Sequence, residues 1–180
     1  MEPSFPQFSD IPERNSGDVI LRTAQQHHVQ MSMMADTKAN IIITVSSIVL
    51  TITLGRAHEG LHAASAIVLA VFTMLALILA ILAVLPKFKT LKVSGDTLPA
   101  GFNILFFGHF AQLSREQFLE QLTRSMATGG NVYKTMASDL YSLGHYLAHY
   151  KYPYLRWSYI FLLSGFVVAG VTETVSILIM

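Results

Sequence analysis

Asp36, Lys38 and Asn40 stand directly against a run, Ile41 to Gly55, that carries no charge until Arg56. A polar trio there marks a boundary between water and an apolar phase, or couples a site in one phase to a helix in the other. Other chemistry-bearing groups are sparse. Glu116 and Glu120, flanked by Arg115 and Arg124, have helical pair spacing and are expected to form a solvated face. His27 and His28 are adjacent, so on a helix they point about 100° apart and make a poor metal pair. His145 and His149 have the i, i+4 spacing that zinc accepts, but no metal is expected there. The chain has no cysteine, which excludes disulfides, thiolate catalysis and Cys-based metal centres. No phosphate-binding loop, dinucleotide fingerprint, G-x-S-x-G or H-E-x-x-H is present, and the chain is not expected to be an enzyme. Glu173 is the remaining oddity, because it interrupts an apolar C-terminal stretch. An ionisable group at the centre of a span costs about 2.5 to 3.5 kcal/mol, so it either snorkels outward or faces a polar interior.

The elements that must position these groups are membrane helices. Of the 180 residues, 52% are hydrophobic and 13% charged, against about 25% charged in average soluble domains. Ala63 to Leu85 holds 23 uncharged residues, about 35 Å of helix, enough to cross a bilayer. Burial inside a soluble bundle is disfavoured, since a core helix seldom stays apolar all round for so long. Asn40 to Leu54 is shorter, but gains length if Lys38 snorkels to the headgroups. A third span starts after Arg156 with Trp157 and Tyr159 at the position of an aromatic belt. On a helix starting there, Glu173 lies about 21 Å past Tyr159, in the outer half.

Basic residues assign the sides. Arg14, Arg22 and Lys38 precede the first span, Arg56 alone separates the first two, and the other eight lie between the second and third. The positive-inside rule therefore predicts a cytoplasmic N-terminus and middle segment and an outside C-terminus. The expected fold is an all-α membrane protein with three transmembrane helices, N-in and C-out, and a small helical cytoplasmic region. Its expected parts are a flexible lead-in (1–16), a cytoplasmic helix (17–38), a first span (39–55), a periplasmic turn (56–62), a second span (63–85), a cytoplasmic helical region (86–156) and a third span (157–178).

Within the cytoplasmic region, Ser114 with Gln117 has capping-box spacing for a helix start. Gly129 and Gly130 are expected to stop that helix and Asn131 to cap the next. Tyr133, Met136, Leu140, Leu143, Leu147 and Tyr150 follow steps of three and four and predict a buried stripe, with Pro153 kinking or ending the helix before the third span. Small residues Ser164, Gly165, Ala169 and Gly170 would allow close helix contacts in the membrane.

Three stretches in order, MSMMADTKANIIITVSSIVLTI, NILFFGHFAQLSREQFLEQL and VYKTMASDLYSLGHYLAHYKYPYLRWSYIFLLSG, resemble the membrane effectors of Pycsar antiphage systems, from about Ile20 to Gly170. The D-x-K-A-N step into the first span and the N-I-L-F-F-G stretch after the second are its most specific parts. The resemblance implies an inner-membrane, multi-pass effector with no cofactor. A partner pyrimidine cyclase would make its activating ligand, cUMP or cCMP, and the effector would impair the bilayer and cause abortive infection. No separate cyclic-nucleotide-binding domain is visible. A cyclic mononucleotide needs a cation, an amide and an aromatic face. Arg22, Asn103, Phe106, Phe107, His109, Arg115 and Lys134 are the candidate ligand residues, and Asp36, Lys38, Asn40 and Glu173 the candidates for membrane coupling or gating. The lipid bilayer, the cyclase product and further copies of the chain are the expected partners, and nucleic acid is not. A passive membrane anchor or assembly factor, or a small ion or proton transporter subunit using Glu173, are the alternatives.

Overall fold

The protein is described by a computed structural model that covers residues 15–56, 63–86, 98–99 and 101–179. The expected lead-in up to residue 14, the turn at 57–62 and the lysine-rich stretch 87–97 lie outside the described residues. Among the described residues there are helices and no strand. They are α1 (Asn15–Arg56), α2 (Ala63–Val84), α3 (Phe107–Phe110), α4 (Arg115–Met126), α5 (Gly129–Tyr146) and α6 (Tyr152–Ile179), with a π turn, Leu147–Lys151, joining α5 to α6. The chain divides into two compact units. One holds the residues up to Gln30 together with Pro86–His145; the other holds Met31–Leu85 and Tyr146 onward.

Three helices are long and apolar enough to cross a membrane: α1, α2 and the helix that ends in α6. At 42 residues α1 is about 63 Å long, twice the roughly 30 Å of a bilayer's hydrocarbon layer. Only part of it can lie in lipid. The second unit is inside out by soluble standards. Its large aliphatics, among them Ile41, Ile48, Ile67, Val71, Ile78 and Leu163, are exposed, while alanine dominates the interior. Lipid tails are as apolar as leucine, so burying leucine drives nothing there, and contact instead favours small residues that let backbones approach. Ala35 and Ala39 of α1 meet Ala83 of α2 and Leu155 of α6. One layer along, Ile42 meets Ala76, Ala80 and Leu162.

Of the small residues expected at helix contacts, Gly165 and Ala169 are buried, Ser164 is half-buried and Gly170 is exposed. A Cβ added to Gly165 would fall 2.7 Å from the Cβ of Phe72 on α2, whereas one on Gly170 would meet nothing within 4 Å. The hydroxyl of Ser158 turns back to the Leu155 carbonyl at 2.8 Å, which removes its need for a partner across the seam.

Pro153, expected to kink or end the helix, stands in the first turn of α6 directly after the π turn, and the helix continues through it. A proline cannot donate to the carbonyl four residues back and crowds it. The chain widens just before it: the Tyr152 N–H reaches the Leu147 carbonyl, five residues back, and α6 continues. Lys151, not Tyr150, then takes the inward position, so the expected stripe ends early. Tyr133 and Leu147 are buried, Met136, Leu140 and Leu143 half-buried, and Tyr150 exposed.

In the first unit the capping box forms as expected, with the Ser114 hydroxyl accepting from the Gln117 N–H at 3.2 Å and the Gln117 side chain accepting from the Ser114 N–H at 3.0 Å. The cap of α5 differs from expectation. Thr128 accepts from the Asn131 N–H at 3.2 Å, and Asn131 instead donates its side chain to the Arg124 carbonyl at the end of α4. The glycines join the first turn of α5 because Thr128 already satisfies its free N–H groups. Buried hydrophobics in this unit are few, Ile104 and Tyr133 among the described residues, so polar bonds carry much of its organisation.

The paired glycines should respond in opposite directions to alanine. Gly165→Ala is expected to lower stability in detergent by about 1 to 3 kcal/mol through overpacking, and Gly170→Ala to raise it by about 0.5 to 1 kcal/mol. Thermal unfolding of the two purified variants beside the parent chain measures both.

Candidate functional site

In the first unit, Asn103 organises the loop between the two apolar segments that flank it. Its backbone N–H donates to His109 Nδ1 at 3.0 Å, and its side-chain oxygen accepts from the Leu105 N–H at 3.0 Å in an Asx-type turn. Its Nδ2 donates to Asp139 Oδ1 on α5 at 2.8 Å. The other carboxylate oxygen of Asp139 accepts from Gln25 Nε2 of α1 at 2.7 Å. Asp139 thus ties the N-I-L-F-F-G stretch and the first helix to α5. Because His109 Nδ1 accepts, its neutral ring carries the proton on Nε2. Phe102 and Phe106 flank that imidazole at ring-centre distances of 5.5 and 5.1 Å, and Phe107 lies 5.2 Å beyond Phe106.

Beside this loop lies a cleft of about 290 Å³. Phe102, Asn103 and Ile104 form one wall, Gln121, Arg124 and Ser125 of α4 a second, and Asn131, Lys134, Thr135 and Ser138 of α5 a third. Arg124 is exposed and pairs with Glu120, four residues back, at 2.5 Å, so its charge is partly offset. Lys134 is exposed and makes no ion pair among the described residues. A cation, amides, hydroxyls and one aromatic ring around a small volume suit a compact anion with a polar ring, at the lower end of the range of small-molecule clefts.

Sequence reasoning placed two of these residues, Asn103 and Lys134. Phe106, Phe107 and His109 form the ring cluster next to the cleft and do not line it, and Arg22 and Arg115 are exposed elsewhere on α1 and α4. Phe102, Arg124, Asn131, Gln25 and Asp139 were not anticipated. Arg124 reads from sequence as part of a solvated face, and nothing in spacing joins Gln25 to a residue 114 positions away.

The second unit holds the polar trio's counterpart. Lys151 Nζ lies 2.7 Å from Asp36 Oδ1 and donates to Ser32 Oγ at 2.9 Å, while the Tyr152 hydroxyl donates to the Met31 carbonyl at 3.2 Å. The Lys151 side chain is 7% exposed and that of Asp36 43%. The π turn aims Lys151 inward, and Asp36 and Ser32 supply the partners without which a buried ammonium would be untenable. Lys38 and Asn40 are exposed and lie off this contact. Glu173 accepts a 2.5 Å hydrogen bond from the Ser65 hydroxyl of α2, which ties the C-terminal part of α6 to the start of α2.

Unequal burial predicts unequal mutants. Asp36→Ala strands a buried ammonium and should lower stability by about 3 kcal/mol or more. Lys151→Met leaves only a half-exposed carboxylate and should cost far less, and adding it to Asp36→Ala should restore most of the loss. Thermal unfolding of the two single variants and the double variant in detergent tests that order.

Comparison with curated proteins and with solved structures returned no match. A family model described as the Pycsar effector protein domain matches residues 19–177. The matched stretch takes in the three membrane-crossing helices, the cleft and the ion pair, and the chain therefore belongs to the Pycsar effector family, as a multi-pass membrane protein of antiphage defence.

Proposed function

We propose that this chain is a non-enzymatic effector of the bacterial inner membrane, oriented N-in and C-out, that binds cUMP or cCMP from a partner pyrimidine cyclase and then impairs membrane integrity, so that the infected cell dies. Family membership supports the defence role and the cyclase signal. The observation that carries ligand binding is the cleft of about 290 Å³ with Lys134 and Arg124 on its walls. In this proposal the single phosphate charge meets Lys134, the amides of Asn103 and Asn131 read the polar ring edges, and Phe102 packs on a face of the base. Charge-assisted bonds in a small cleft favour the anion over neutral nucleosides.

A route to the membrane follows from continuity of one element. Helix α1 carries Gln25, held by Asp139 in the first unit, and eleven residues later Asp36, held by Lys151 in the second. A ligand that shifts the Asn103–Asp139–Gln25 chain of bonds biases the same helix that bears the Asp36 contact, and a packed helix responds by discrete shifts, not by bending gradually. Lys38 and Asn40 serve in this scheme at the headgroup boundary, and Glu173 with Ser65 fixes the outer end of α6 to α2.

Lys134→Ala is expected to weaken binding of cUMP or cCMP roughly tenfold to a hundredfold, the loss of one charge-assisted contact, with the unfolding temperature unchanged because the side chain is exposed. Titration calorimetry on the detergent-solubilised chain measures the affinity. Cyclase-dependent depolarisation of cells should fall in parallel, and undiminished affinity for the responding nucleotide would remove the cleft from the mechanism.

A further inference from the structure

Two hydroxyls in the membrane part are buried and bonded to nothing. Among the described residues of the second unit, Ser46 Oγ of α1 and Thr73 Oγ1 of α2 are buried without a hydrogen-bond partner, and both residues are 0% exposed. Helical position does not impose this. Thr44, Ser47, Thr51 and Thr53 of α1 each donate to the carbonyl four residues back, and Thr53 does so while buried. Ser46 makes no such bond.

The two stand in one layer. Ala39 clusters with Ala83, and Ile42 with Ala80 and Ala76, so numbers on α2 fall as those on α1 rise. The next buried position of α1 is Ser46 and that of α2 is Thr73. On α6 it is Gly165, three past Leu162, where an added Cβ would meet Phe72 beside Thr73. Thr73 is the middle of the 22 residues of α2, about 15 Å from either end, near the centre of a hydrocarbon layer roughly 30 Å thick.

Close packing does not ask for these hydroxyls. Ala39, Ala76, Ala80 and Ala83 achieve it without a polar atom, and valine has the shape of threonine. An unmet hydroxyl that neither lipid nor bulk water reaches is a cost carried by the packed state, and it is relieved only in an arrangement that supplies a partner. Polar surroundings lie in one direction only. Toward Ala83 the next layer is apolar, with Ile42 and Leu162 among alanines; the other way come Thr53 of α1 and the Ser65–Glu173 pair of α2 and α6. Polar groups inside membrane bundles mark paths for water and ions.

Resting on the functional reading above, we propose that the Ser46–Thr73 layer is where the seam parts and takes up water when the effector responds, so that small ions breach the barrier there. Water meets both hydroxyls at once, and Ser65 with Glu173 stands along its route. Ile42 and Leu162 form the dry constriction that keeps the resting seam closed, as apolar constrictions do in gated pores.

The chain has no cysteine, so a thiol reagent reads each introduced position alone. Ser46→Cys and Thr73→Cys are compared with Ile48→Cys and Ile78→Cys, on exposed faces of the same helices. Membrane fragments open on both sides are treated with a cationic methanethiosulfonate, with and without cUMP or cCMP; only a hydrated thiolate reacts. Labelling at 46 and 73 is expected to rise roughly tenfold or more with nucleotide, while 48 and 78 stay unlabelled. No rise where sealed parent vesicles leak, equal labelling without nucleotide, or equal labelling at 48 and 78 would each overturn the proposal. Leak from the parent vesicles reads the functional assignment by itself, and its absence with both nucleotides overturns that assignment. Thermal unfolding in detergent decides the resting layer in either case. Thr73→Val and Ser46→Ala should each raise the unfolding temperature by about 2 to 4 °C, and Ser158→Ala, which loses a bond already made, should not. An unchanged or lowered temperature for both would remove the reason for the layer to open.

Discussion

Lipid removes the usual reason for side chains to hide, and the second unit is built around that loss. With no hydrophobic gain between helices, what holds α1, α2 and α6 together is dispersion across short backbone separations and a few polar contacts that hydrocarbon cannot replace. Alanine and glycine recur in the interior, beside Ile42, Leu155 and Leu162, because small residues let the backbones approach closely. The same constraint makes polar groups informative by position. Lys151 is acceptable inside only because Asp36 and Ser32 reach it. Ser65 and Glu173 play the corresponding part toward the other end of α6.

The first unit solves the opposite problem. Among its described residues few hydrophobics are buried, and the Asp139 carboxylate ties its loop and helices together instead. Asp139 accepts from two amides that come from distant parts of the chain, and Asn103 spends its remaining groups shaping the loop next to it. A small unit organised by charge-assisted hydrogen bonds is easier to shift with a charged ligand than one locked by a large core, because each bond it trades is replaced by a similar one. Asn103, one of the two amides that donate to Asp139, lines the cleft.

Much of the membrane part was legible from residue order. Twenty-three uncharged residues in a row predict a helix long and apolar enough to cross a bilayer, and α2 is that helix. The capping box at Ser114 was equally plain, since it is a local bargain between residues three apart. The π turn before Pro153 was not legible, because whether the preceding turn widens is decided by packing and not by the proline alone. At the candidate site, Asn103 and Lys134 were found by side-chain type, while Arg124 was hidden by its surface pair and Asp139 by the distance to its partners.

Sequence by itself determined which stretches dissolve in lipid, where helices begin under local caps, and which family the chain resembles, because hydropathy and capping act over a few residues. Only the tertiary structure decided that Lys151 turns inward to Asp36, that Asp139 joins Gln25 to Asn103, and which side of α1 is a packed seam. Those outcomes depend on pairing across more than a hundred positions, where chain order carries no distance information and geometry alone selects the partner.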